Sequence, residues 1–284
     1  MRRSAGLPSA NRPPLVIKPR KGWLPPRPRE MWEFRELLAR FAARDITLRY
    51  RQTALGVTWV VLQPLLGAGI LSFAFGSVAN LPAPAGIPYF AFSLAGMVVW
   101  TAFSQTVIRS SASLVANANM VQKVFFPRLL LPLSMVLSTM VDVAVSLALV
   151  ATVIALSGVA PGAALATFPL WLALALAAGL GIGLIASALM VRYRDVQYIV
   201  PAGMQLLLFA SPVAYALAAV PADARTLYEL NPLAGLVEGF RWSLLDTVAP
   251  SMGLTIYAVA TSLAILVVGV LVFHRMEKGF ADVI

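Results

Sequence analysis

The chain of 284 residues is 60% hydrophobic and only 12% charged, with a mean hydropathy of +0.82 and a formal net charge of +10. One soluble core cannot bury that much apolar surface, so the class is a polytopic membrane protein. The lack of Cys excludes disulfides, thiolate metal sites and cysteine catalysis, while thirteen of the 22 Lys and Arg lie before Thr53 with no nucleic-acid motif, which directs the charge to anionic lipid.

Residues 1–28 intersperse seven prolines among Arg2, Arg3, Arg12, Lys18, Arg20, Lys21 and Arg27. With so little apolar content they read as a disordered basic arm, and no short apolar leader precedes the first span. In residues 29–52, Phe34, Leu37, Leu38, Phe41 and Leu48 share one helical face and Arg35, Glu36, Arg40 and Arg44 the other. An amphipathic helix at the cytoplasmic membrane surface fits, with Asp45 on the apolar face as a break; a helix packed on a partner fits the same pattern.

Residues 53–284 form the transmembrane domain. From Thr53 to Ile108 there is no charged residue, and only the Pro-rich Leu81–Pro88 interrupts the run. At about 1.5 Å per residue and roughly 30 Å of hydrocarbon, this is a hairpin of two spans, about 57–79 and 89–108, with Pro64 bending the first. Arg109 ends the uncharged run, and 109–128 reads as a polar loop whose bases Arg109, Lys123 and Arg128 place it inside. A third span, about 129–157, contains Asp142, for which no basic partner is evident. Two readings stand: a proton or cation relay, or an interhelix hydrogen bond near the pore.

The fourth span, about 168–191, carries Gly179, Gly181 and Gly183, which allow close approach to a neighbouring helix. The fifth, about 196–220, contains Pro201 and Pro212 and is expected to kink or break. Residues 221–250 read as two short amphipathic helices joined at Asn231-Pro232 and dipping into the outer membrane surface. The sixth span, about 251–273, ends at His274, read as an interfacial cap, and a short tail. With the N-terminus inside, this arrangement places 20 of the 22 basic residues on the cytoplasmic side and only Arg225 and Arg241 outside, as the positive-inside bias requires.

No phosphate loop, HExxH, GxSxG or paired-carboxylate site occurs, so the chain is read as a transport subunit that catalyses nothing itself. Uphill transport then needs an ion gradient or a second subunit, and the scarcity of charged pairs in the spans disfavours ion coupling.

The stretch Arg44-Asp45-Ile46-Thr47-Leu48-Arg49-Tyr50-Arg51-Gln52-Thr53-Ala54-Leu55-Gly56-Val57-Thr58-Trp59, continuing to Gln63-Pro64, resembles the approach to the first span in membrane subunits of type-2 bacterial ABC exporters for polysaccharides and teichoic acids. Lys123-Val124-Phe125-Phe126-Pro127-Arg128, Asn231-Pro232-Leu233 and the terminal Phe280-Ala281-Asp282-Val283-Ile284 look like the same family, so the likeness spans residues 30–284 and leaves the arm out. The resemblance implies an all-α inner-membrane homodimer with six transmembrane helices, an N-terminal interface helix bearing Arg44, Arg49, Tyr50 and Arg51, and two external gate helices in 221–250 with Asn231, Pro232 and Arg241. It also implies two copies of a nucleotide-binding subunit that hold the ATP and Mg, with both termini of this chain cytoplasmic. Those subunits would dock on a coupling loop, 113–128, through Asn117, Asn119, Gln122, Lys123, Phe126 and Arg128. The cargo would be an undecaprenyl-linked glycan such as an O-antigen, moving past Trp59, Phe73, Asp142, Phe209 and Tyr215, of which each aromatic also fits plain membrane packing. A drug or lipid exporter, or an ion-coupled carrier, are the alternatives.

Overall fold

The computed structural model describes residues 32–51, 58–84, 86–277 and 279–280, and the basic arm, residues 52–57 of the first motif and residues 281–284 of the terminal one lie outside that set. Among the described residues every regular element is helical. Helix α1 (Arg35–Tyr50) precedes α2 (Thr58–Leu71), whose last turns widen into a π-helix, Ser72–Val78. Then follow α3 (Tyr89–Ala116), the short α4 (Ala118–Lys123) and α5 (Leu130–Leu156). A 3-10 turn, Ala163–Thr167, leads into α6 (Phe168–Arg192), and α7 (Val196–Phe209) comes next. Helices α8 (Ala222–Glu229), α9 (Pro232–Leu245) and α10 (Met252–Glu277) complete the chain.

Five of these helices are long and apolar enough to cross a membrane: α2 with its π-helical end, α3, α5, α6 with its leading turn, and α10. They divide by exposure. The most apolar stretches of α3 and α6 are 78% and 72% buried, against 11% for α2, 28% for α5 and 22% for α10. So α3 and α6 are the centre of the bundle, and α2, α5 and α10 show most of their apolar surface to whatever surrounds it. Lipid tails are as apolar as leucine, and helices in a bilayer are therefore held by close fit. The glycines of α6 provide it. A Cβ at Gly179 would meet the Phe103 carbonyl of α3 at 2.8 Å, one at Gly183 the Ser110 Cβ at 2.7 Å, and one at Gly181 the Ile265 carbonyl of α10 at 2.5 Å. Phe92, Trp100, Phe103, Trp171 and Phe240 fill the centre around this seam.

Three sequence expectations need correction, and a fourth, the break near Pro212, is located. Helix α1 does not break at Asp45 but runs on to Tyr50, because Asp45 is paired with Arg49 one turn later at 2.5 Å. The loop expected to begin at Arg109 begins only after Ala116, since α3 continues for eight residues past Ile108. Its serines fold back on their own helix: Ser111 donates to the Ile108 carbonyl and Ser113 to that of Ser110, both at 2.7 Å. The segment 196–220 is broken, as its prolines lead us to expect. Helix α7 stops at Phe209 after 14 residues, about 21 Å at the helical rise, and a non-helical passage through Pro212 leads to a single 3-10 turn, Leu217–Ala219. Finally, the second of the two helices expected at the outer surface, α9, is buried along nearly its whole length against α3, α6 and α10. Gly239 makes this fit, as a Cβ there would run into the Trp171 ring at 2.5 Å.

Candidate functional site

A charged seam joins α1, α3 and α5. Asp142 sits on α5 with its side chain 12% exposed, and three groups converge on it: Arg49 donates at 2.9 Å, Arg109 of α3 pairs at 2.6 Å, and the Tyr50 hydroxyl donates at 2.5 Å. Arg49 also reaches Asp45 at 2.5 Å and Ser138 at 3.1 Å, Ser138 donates to Asp45 at 2.5 Å, and Arg109 donates to Thr139 at 3.3 Å. Two guanidiniums are thus matched by two carboxylates, which is how buried charge is tolerated. Burial first, and then the neighbouring Asp142, raise the Tyr50 hydroxyl above its ordinary range, so it stays protonated and continues to donate. The expectation that Asp142 lacks a basic partner is therefore corrected, and the interhelix hydrogen-bond reading is the one the geometry supports. Arg51, next along, is exposed.

Beside the seam a cleft of about 230 Å³ opens between α2, α3 and α5, with Trp59 and Gln63 on one wall and Gln105, Arg109, Asp142 and Ser146 on the others. Trp59 and Asp142 therefore share a cavity. The other aromatics named from the sequence do not join them. Phe73 lies exposed on the π-helical end of α2 and Phe209 exposed at the end of α7, while Tyr215 packs on Phe75 and hydrogen-bonds Tyr228 at 3.1 Å.

At the end of the bundle that carries α4, three of the sequence motifs meet. Phe126 is buried edge-on against Phe41 of α1, with ring centres 5.5 Å apart, and Arg44 donates to Asn117. Arg128 donates to the Glu277 carbonyl, its own backbone N–H reaches the Glu277 carboxylate at 3.3 Å, and its guanidinium lies 6.0 Å from the Phe280 ring. Phe280 in turn packs on Phe273 at 5.5 Å. Of the six residues expected to couple to a partner, Asn119, Gln122 and Lys123 are exposed, together with Val124 and Phe125. Asn117, Phe126 and Arg128 are turned inward and anchor the segment to α1 and α10. The exposed face is thus rigidly mounted from behind.

At the other side of the molecule, the break after α7 is held by side chains. Arg241 of α9 is fully buried, stacks 3.7 Å over the Phe92 ring, and donates to the carbonyls of Pro212 at 2.9 Å, Tyr215 at 3.1 Å and Val213. Tyr89 donates to the Ala214 carbonyl at 2.8 Å, Asn231 to that of Ala210 at 3.2 Å, and Glu238 accepts from the Leu217 N–H at 2.9 Å. Asn231 also caps α9 by accepting from the Leu233 N–H, and Pro232 occupies the first helical position, where no donor is needed. Arg241 is thus no outward-facing charge. It completes a non-helical backbone that lipid alone could not satisfy. Sequence reasoning read Arg109 only as a loop charge and assigned no role to Glu238 and Glu277, whose partners Asp142, Leu217 and Arg128 lie too far along the chain for spacing to reveal.

These features, a bundle with five helices long and apolar enough to cross a membrane and an exposed short helix braced from two sides, are those of a multi-pass membrane protein. The sequence matches the family model described as ABC-2 type transporter over residues 36–245, and the chain belongs to that family. It is similar to an O-antigen export system permease protein RfbA of Klebsiella pneumoniae, 26% identical over 254 residues that cover 88% of this chain and 95% of the relative. A protein of the same name from Myxococcus xanthus is 28% identical over 256 residues, covering 89% and 97%.

Proposed function

We propose that this chain is the membrane subunit of an ATP-driven exporter that moves a lipid-linked, O-antigen-like polysaccharide across the bacterial inner membrane. The observation that carries the reading is similarity over 88% and 89% of the chain to relatives named as O-antigen export permeases, within a family match that spans α1 to α9. In this reading two copies of the chain associate with two ATPase subunits, which bind the ATP and Mg. The exposed Asn119, Gln122, Lys123 and Phe125 form the docking face, and the inward Phe126 and Arg128 pass its movement to α1 and α10. Helix α7 with the passage after it makes the sixth crossing, as a broken helix, with both termini cytoplasmic. Helices α8 and α9 are the external gate elements, α9 as a buried wedge and α8 with Leu227 exposed beside it.

Energy coupling through the partner fits the seam better than an ion-coupled carrier does, because Asp45 and Asp142 are already paired with Arg49 and Arg109. Deleting the gene tests the reading: surface polysaccharide is expected to vanish while its lipid-linked form accumulates inside. Normal surface polysaccharide in the deletion strain would overturn it.

A further inference from the structure

The cleft between α2, α3 and α5 contains polar groups that the fold does not use. Gln63, Thr101 and Gln105 all line it, and their side chains make no hydrogen bond among the described residues. Unpaired amides on membrane helices are unfavourable beside lipid, so their placement in one cavity points to a polar occupant. The charges around the cavity say which kind. Arg49 and Arg109 are matched by Asp45 and Asp142, leaving no surplus positive charge to hold a phosphate. What faces the space beside these paired groups is the two amides and the Thr101 hydroxyl, set among the apolar Val60, Pro64 and Met97 and the indole of Trp59. Sugar hydroxyls both donate and accept, and the ring's C–H face lies against indole, so this lining is complementary to a carbohydrate. A volume of about 230 Å³ has room for one ring and not for a chain of them.

We propose that this cleft is a subsite for one neutral sugar residue of the transported glycan, held by Gln63, Thr101 and Gln105 beside Trp59. The proposal rests on the export function above and adds to it a place where the polymer is gripped away from its charged lipid end.

The chain has no Cys, so a single reporter thiol reads without background. Val60→Cys, and Met97→Cys from the facing wall, are made in the full chain purified with its ATPase, and maleimide labelling is timed. The probes are phosphate-free fragments of the strain's own surface polysaccharide, and sodium pyrophosphate. Fragments at tenfold their dissociation constant are expected to slow labelling about tenfold by mass action, and Gln63→Leu with Gln105→Leu to abolish that protection. Protection by pyrophosphate and not by the fragments would overturn the proposal in favour of an anion site. Failure of both thiols to label, or labelling that no fragment slows, would overturn it too. If the chain is still required for surface polysaccharide, only the subsite is lost; if it is not, the export function itself fails.

Discussion

Replacing Asp142 by Leu removes the acceptor on which Arg49, Arg109 and Tyr50 converge, in a side chain only 12% exposed. Arg49 keeps Asp45, but Arg109 keeps only a 3.3 Å bond to Thr139, so one guanidinium is left without a counter-charge where it is 18% exposed. Removing one partner of a buried pair costs about 3–5 kcal/mol, and the surviving Asp45 contact places this case near 3 kcal/mol. For a chain of this size that lowers Tm by roughly 6–12 °C, read as the midpoint of heat-induced loss of monodisperse protein in mild detergent. Asp142→Asn preserves shape and hydrogen-bonding capacity, costs about 1–3 kcal/mol, and leaves export standing in proportion to folded protein. A double change, Asp142→Leu with Arg109→Met, recovers most of the loss, because the stranded charge goes with its partner. An unchanged Tm in Asp142→Leu would refute the seam, and a stable Asp142→Asn protein with no export would restore the ion-relay reading.

Lys123→Glu with Phe125→Ser alters only exposed side chains, so membrane insertion is expected to be unchanged while the ATPase co-purifying with the chain falls severalfold on pull-down. Arg241→Leu strands the carbonyls of Pro212, Val213 and Tyr215 and is expected to destabilise by about 3–5 kcal/mol, visible as loss of folded protein in detergent. Arg241→Lys rescues little of this, since one ammonium cannot span the fork that a guanidinium does. Gly181→Leu forces α6 from α10 at their closest approach and is expected to abolish the folded protein on size-exclusion chromatography, whereas Gly203→Leu, with open space around it, leaves it intact.

How much of this could be read from the chain depends on whether the determining interaction was local. The apolar helices expected at about 57–79, 129–157, 168–191 and 251–273 were legible because uninterrupted apolar length of this kind fits a helix long enough to cross a bilayer, and the structure places their ends within a few residues of expectation. The Asn231-Pro232 junction was legible because cap chemistry is written in adjacent residues. What stayed hidden depends on partners far along the chain. Arg109 looks like the end of a helix until Asp142, 33 residues later, is set against it. Arg241 looks like a surface charge until the freed carbonyls after Phe209 are seen to need it. Likewise α9 shows the periodicity of a surface helix, yet its polar positions face other protein segments, and periodicity alone cannot separate the two environments.

In the motif from Lys123 to Arg128, which side chains face out and which face in was not legible. Sequence gives no sign that Phe125 points out and Phe126 in, whereas the 5.5 Å contact with Phe41 settles it. Trp59 and Asp142 were named for a pathway on separate grounds, and their shared cleft emerges only when α2 and α5 are brought side by side.

The most direct test of the export function is reconstitution of the purified chain with its ATPase in liposomes carrying the strain's lipid-linked glycan, with transfer to the opposite leaflet followed by a lectin or glycosidase that cannot cross the bilayer. Transfer is expected only when ATP and Mg reach the ATPase side, and is expected to be unaffected by collapsing proton or sodium gradients. Transfer by the chain alone, driven by an ion gradient and indifferent to ATP, would contradict the account.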